Sequence, residues 1–284
     1  VADVLPKLPL DEWIDTLVDG MQHSLDGLFD LIAAVIGSVV NGLAYGLTLF
    51  PSWVYIISFT LLALLLSARS LALFTLLGLF LIDNLGYWEN TMLTLALVLT
   101  AALISIILGV PLGIFCGKSD KAQQIITPVL DFMQTMPAFV YLIPAVTFFS
   151  LGAVPGVIAS VIFAMPPTIR LTSLGIRQVP RELLEAADSF GSTGGQKLLK
   201  VQLPLAKPTI MAGINQSIML SLSMVVIASM IGAKGLGADV YRAVTQLKIG
   251  EGFEAGLAIV ILAIILDRLT QHIGRKTESR GSAR

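Results

Sequence analysis

The sequence predicts an all-α, polytopic helical membrane protein, and three observations carry that prediction. Of 284 residues, 55% are hydrophobic and 13% charged, about half of the ~25% charged fraction of soluble domains. The mean hydropathy of +0.85 leaves too little polar surface for a water-soluble body of this size. Charge is also missing from four long windows, 31–68, 91–117, 132–169 and 208–233. About 20 apolar residues cross a bilayer as a helix. Each window therefore holds at least one span, and the longest has room for two.

Residues 1–30 stand apart. They carry seven acids (Asp3, Asp11, Glu12, Asp15, Asp19, Asp26, Asp30) and one base, Lys7. Leu10, Trp13, Ile14, Leu17, Val18, Met21, Leu25, Leu28 and Phe29 recur at spacings of three and four, an apolar stripe on one helix. Such a helix is too polar to span. It either lies on a membrane surface or packs on protein. No basic stretch and cleavage site opens the sequence, so the first span is expected to direct insertion.

Residues 31–50 are uncharged but include Ser38, Asn41 and Tyr45. They either span or continue the interfacial helix. With 51–90 they make up an N-terminal region of spans or interfacial helix, ahead of a core at 91–271 and a basic tail at 272–284. Spans are expected near 52–68, 70–86, 91–116, 129–150, 155–175, 206–231 and 254–271, with 31–50 as a possible eighth.

Lysine and arginine in short loops mark the cytoplasmic side. The tail has Arg275, Lys276, Arg280 and Arg284; the segment 176–205 has Arg177, Arg181, Lys197 and Lys200; Lys118, Lys121 and Arg69 mark further inside loops. Seven spans and an inside C-terminus place the acidic N-terminus outside. The stretch 232–253 fits poorly, because Lys234, Arg242 and Lys248 stand beside Asp239, Glu251 and Glu254.

The segment 176–205 is the informative loop. Pro180 suits a first helical turn, where its missing N–H is not needed. Leu183, Leu184, Ala187 and Phe190 then share a face, with Glu182, Glu185 and Asp188 beside them. Gly191 ends or bends this helix, Ser192 or Thr193 can cap a second one, and Leu203-Pro204 ends that. The apolar face either packs on its own membrane domain or headgroups, or docks a cytoplasmic partner.

Glu185-Ala186-Ala187, three residues, Gly191, nine residues, Val201, one residue, then Leu203-Pro204 resembles the EAA loop of ABC importer permeases. Val201 stands where the family has isoleucine. The runs 131–144, 155–170 and 213–219 resemble the membrane subunit of glycine betaine importers, and the acidic N-terminal helix resembles that branch too. The resemblance implies a type I ABC importer permease fold in the bacterial cytoplasmic (inner) membrane. It also implies a permease homodimer, ABC ATPase subunits inside, and an extracellular or periplasmic substrate-binding protein. ATP and magnesium would be held by the ATPase. Glu182, Leu183, Leu184, Glu185, Ala186, Ala187, Phe190, Gly191, Leu203 and Pro204 would couple it to the membrane helices. The cargo would be glycine betaine, proline betaine, choline or proline.

No catalytic, metal or nucleic-acid site is expected. One cysteine, Cys116, makes neither an internal disulfide nor a metal cluster; it reads as a small buried or lipid-facing residue. Gly117-Lys118-Ser119 mimics the end of a phosphate loop, but Leu112 stands where its first glycine belongs. Asp131 sits near Lys118 and Lys121 at a span edge, and Asp267 with Arg268 at the inner end of the last span. These read as interfacial groups and not as an ion relay. Pro137, Pro144, Pro155, Pro166 and Pro167 mark spans 129–150 and 155–175 as bordering a pathway, since broken membrane helices are tolerated where they line a cavity. A quaternary ammonium cargo would be held by aromatic faces, for which Phe139, Tyr141, Phe148, Phe149 and Phe163 are the candidates. His23 and His272 read as solvated. Residues 232–237 read as a flexible external turn, and the resemblance places binding-protein docking there, with Asp239, Tyr241, Arg242, Gln246 and Lys248. The rival functions are a stand-alone secondary transporter and a non-transport membrane scaffold.

Overall fold

The computed structural model describes residues 9–66 and 69–281, with side chains as far as residue 272. Asp3, Lys7 and the side chains of the basic tail lie outside the described residues. All regular structure among the described residues is helical: α1 (Leu10–Thr48), α2 (Ser52–Leu66), α3 (Arg69–Asn84), α4 (Trp88–Lys118), α5 (Asp120–Thr135), α6 (Ala138–Phe149), α7 (Ala153–Arg177), α8 (Arg181–Ser189), α9 (Gly194–Lys197), a π turn (Leu198–Gln202), α10 (Leu203–Ser229), α11 (Leu236–Thr245) and α12 (Ile249–Gly281). Five helices are long and apolar enough to cross a membrane, or six if α5 and α6 count as one bent span.

The core is a three-helix seam of α4, α7 and α10. Gly109, Gly113 and Gly117, four residues apart, present one glycine face of α4 to Thr168, Thr172 and Ile176 of α7. Small residues let membrane helices approach closely, which is what drives their association where lipid removes the hydrophobic advantage. α10 joins through Gly213, packed on Pro167, Thr168 and Leu171, and through a hydroxyl relay in which Thr168 Oγ1 and Ser217 Oγ lie 2.7 Å apart and Ser217 donates to the Ala164 carbonyl. α4 and α7 run in the same direction. The bundle thus has a Trp88 end and a Lys118 end.

Three expected spans are revised. The segment 129–150 is not one straight helix: α5 and α6 meet at 99°. Met136 is extended there, as a residue before proline prefers, and Pro137 precedes the first residue of α6. The segments 52–68 and 70–86 become α2 and α3, helices of 15 and 16 residues. At ~1.5 Å per residue each is about 22–24 Å long, short of the roughly 30 Å hydrocarbon core. They form a hairpin against α12, with Gly78 of α3 admitting Ile261.

Residues 10–48 are one helix, although the polar and apolar halves read differently in sequence. Its path is transverse. Gln22 donates to the Thr147 carbonyl near the end of α6, and the Gly46 carbonyl accepts from Tyr55, whose ring lies 6.3 Å from Trp88. Both contacts are at the Trp88 end. A helix crossing the bundle lengthwise would advance about 36 Å between those two residues. In between, Ile36 and Val40 pack on Leu97, Ala101, Val157 and Val161. The apolar half therefore lies across the outer part of the bundle and does not run alongside it.

Candidate coupling site between α7 and α10

α8 begins after Pro180, which serves as N-cap with φ −55° and ψ 134°, one position earlier than a first-turn proline. Its end is fixed by a glycine. Gly191 adopts φ +73°, a region that non-glycine residues enter at about 1–2 kcal/mol. Ser192 N–H donates to the Ala187 carbonyl and Gly191 N–H to that of Asp188, the paired bonds of a Schellman cap. Thr193 then caps α9 reciprocally: its Oγ1 accepts from Gln196 N–H, and Gln196 Oε1 accepts from Thr193 N–H at 2.9 Å. Lys197 reaches back to both carboxylate oxygens of Asp188 at 2.6 and 2.7 Å. α8 is thus clamped to the base of α10, a link that charge spacing alone did not reveal.

Leu203-Pro204 does not end the second helix. Residues 194–229 run on as one helix of 36 residues. Pro204 lacks an N–H, and the chain absorbs this with a π turn in which Leu203 N–H bonds Leu198. Such single-turn bulges frequently mark functional sites.

The expected apolar face of α8 divides in two. Leu184 and Ala187 are half-buried, while Leu183 is 44% and Phe190 90% exposed. Glu182, Glu185 and Ala186 are exposed as well. Phe190 and Leu183 thus leave an apolar patch open on an otherwise polar loop. Gly191→Ala is expected to cost α8 about 1–2 kcal/mol locally, read as faster amide exchange over residues 183–190. Exchange equal to that of the parent chain would show that the glycine conformation does not hold the cap.

The aromatic candidates do not form one cage within the chain. Phe148 and Phe149 pack on Phe29 of α1, with centroids 4.5 and 5.5 Å away. Tyr141 is buried, donates to the Met133 carbonyl across the α5–α6 bend, and shares a cluster with Phe163 and Met224. Phe139 alone is largely exposed.

At the Trp88 end, residues 232–237 are a tightly packed connection and not a loose turn. Leu236 is fully buried and its N–H bonds Thr94 Oγ1 at 2.9 Å, while a Cβ on Gly237 would overlap the Val225 carbonyl. Asp239 accepts from Asn90 at 2.5 Å; burial raises its carboxyl pKa, against the Asn90 bond and Arg242. Tyr241, Arg242 and Gln246 are exposed on α11 and at its end, and Lys248 pairs with Glu251 at 2.8 Å. Asp131, expected near Lys118 and Lys121, pairs instead with Arg170. Asp267 accepts from Asn215 at 2.8 Å and Gln271 at 2.7 Å. Cys116 is buried. His23 lines an open cleft with Asp19, Gln22 and Asp26.

Comparison with known proteins agrees with this geometry. Residues 109–279 match the family model described as binding-protein-dependent transport system inner membrane component. The chain is 60% identical to the glycine betaine transport system permease protein OpuAB of Bacillus subtilis (strain 168), over 99% of this chain and 100% of that protein. It is 58% identical to the glycine betaine/carnitine transport permease protein GbuB of Listeria monocytogenes, over 97% and 99%. It is 50% identical to the glycine betaine/proline betaine transport system permease protein ProW of Escherichia coli, over 98% and 78%. The MetNI methionine ABC transporter in an inward-facing conformation shares the fold, with a TM-score of 0.59 and 20% identity over 65% of this chain and 92% of that one. The protein is therefore a multi-pass inner-membrane protein and belongs to the family of binding-protein-dependent transport system inner membrane components.

Proposed function

We propose that this chain is the permease subunit of an ATP-driven importer of glycine betaine or a related compatible solute, worked by separate ATPase subunits and supplied by an external binding protein. The observation that carries the reading is α8: a short helix, clamped by Gly191, Thr193 and Lys197–Asp188, that holds Phe190 and Leu183 bare beside the base of α10. ATP and magnesium belong to the partner that covers them. The relatives' names support this reading over a secondary transporter or a scaffold.

The basic residues at the Lys118 end (Lys118, Lys121, Arg177, Arg181, Lys197, Lys200) support a cytoplasmic position for that end. The C-terminus of α12 then lies inside and α1 outside. A second copy of the chain completes the pathway. The exposed apolar residues Ile125, Val129 and Phe132 of α5, with Phe139 and Ile143 of α6, offer it a face. The α11 residues Asp239, Tyr241, Arg242 and Gln246, with Lys248, offer the external protein its contact.

The test is uptake of labelled glycine betaine by proteoliposomes holding the whole complex. Uptake is expected only with internal ATP and external binding protein together. Uptake driven by an ion gradient without ATP would overturn the assignment. In the same preparation, Gly191→Asp is expected to leave insertion intact while transport per ATP hydrolysed falls; an unchanged ratio would remove α8 from the coupling path.

A further inference from the structure

We infer that α5 is a hinged strut that closes onto α7 during the transport cycle, with Arg170 and Arg177 as its positioning residues. This rests on the importer reading above and adds a moving part to it.

α5 is jointed at both ends. Ser119, alone between α4 and α5, is extended at φ −135° and ψ 117°. At the other end the chain turns 99° into α6. Between these joints α5 fully buries only Ala122 and Leu130, and its inner face meets Cys116 and Ile169 through Leu130 and the half-buried Ile126 and Met133. Two ion pairs also tie it to α7. Asp120 accepts from Arg177 at 2.6 Å, and Asp131 pairs with Arg170. The pairs sit 11 residues apart on α5 and seven apart on α7. They bracket a cleft of about 310 Å³, walled by Gln123, Thr127 and Leu130 on one side and Ile169, Ser173 and Leu174 on the other.

Such a cleft is at odds with a finished interior, where close packing leaves few voids. Ser173 is 5% exposed and its hydroxyl has no hydrogen-bond partner among the described residues. A buried polar group in that state is costly, and a movement that supplies a partner relieves the cost. Closing α5 onto α7 removes the cleft and offers Ser173 the side chains of Gln123 or Thr127, which already line it. The drive reaches the strut by a short route. Arg177 is the last residue of α7, three residues separate it from α8, and it also donates to the Cys116 carbonyl of α4 at 2.8 Å. A push on α8 thus arrives first at the Arg177–Asp120 pair.

The experiment uses the whole complex in proteoliposomes. Cys116→Ala removes the chain's one cysteine, and Thr127→Cys with Ser173→Cys places a thiol on each wall. Oxidative cross-linking is expected to rise several-fold in one nucleotide state, either ATP-trapped or nucleotide-free, over the other. Equal yields in both states would overturn the strut. A second arm exchanges the pair at the far end of α5: Arg170→Asp alone is expected to lower transport while ATP hydrolysis persists, and adding Asp131→Arg to restore it. Failure of the exchange to restore transport would show that the pair does not position α5. ATP-driven uptake by the parent complex with equal cross-linking sinks only the strut, whereas loss of ATP dependence sinks the importer reading itself.

Discussion

Phe190→Ala is expected to weaken assembly with the ATPase by about 2–4 kcal/mol, the range of aromatic hot spots at interfaces, or roughly 30- to 1000-fold in dissociation constant. The ring is 90% exposed in the free chain and belongs to the C-terminal cap of α8, where its N–H bonds the Ala186 carbonyl. Alanine keeps that backbone bond and favours helix, so α8 itself should survive. What is lost is an anchor of large area on a helix clamped by Lys197–Asp188 and pre-organised by Gly191. Little ordering entropy therefore offsets the contact, which is why one side chain carries so much. The measurement is titration of purified ATPase onto the detergent-solubilised chain. An unchanged affinity would mean that the partner grips α8 by its other face, around Leu184 and Ala187, or does not grip it at all.

Why the candidate coupling loop was legible, and the rest less so, follows from where each signal lives. Gly191 and Thr193 act on their own neighbours in sequence. A left-handed glycine and a capping threonine announce a helix end and a helix start without reference to any other part of the chain. The uncharged windows are equally local, and they located α4, α7 and α10 well. Direction was harder. The hydropathy of residues 31–48 is that of a span, yet α1 lies across the bundle because Ile36 and Val40 find their partners on α4 and α7 near the Trp88 end. No periodicity carries that angle. The same holds for α2 and α3, whose apolar runs suggest spans while their lengths forbid full ones.

The polar contacts were misread for the opposite reason. Asp131 was placed by proximity in sequence to Lys118 and Lys121, but α5 is a helix and carries Asp131 away from them toward Arg170 on α7. The glycines of 232–237 suggested looseness. The structure uses them for close approach: Gly235 lies against Thr94, and Gly237 against the backbone of α10. In each case the missing information was a distance between elements, which one sequence does not contain.

Gly113→Leu is expected to cost about 3 kcal/mol or more, at the top of the range for overpacking a core, and to lower the melting temperature of the detergent-solubilised protein accordingly. Even the first added carbon would lie 2.5 Å from Thr172 Cβ and 2.7 Å from the Ile169 carbonyl oxygen. Neither atom is the far end of a flexible side chain, so relief requires α4 and α7 to part. Those two helices and α10 share the seam, and parting them also pulls Thr168 from Ser217. Two comparisons separate crowding from helix propensity. At Gly117 the nearest atom would be 2.9 Å away, the side-chain carbon of Ile176, and at Gly20 nothing lies within 4 Å. Alanine at Gly20 should therefore stabilise by up to ~1 kcal/mol through propensity alone, and alanine at Gly117 should fall between it and Gly113→Ala. A Gly113→Leu protein that melts with the parent would mean that α4 and α7 do not meet at this seam, and the direct path from α8 through Arg177 to the core helices would lose its footing.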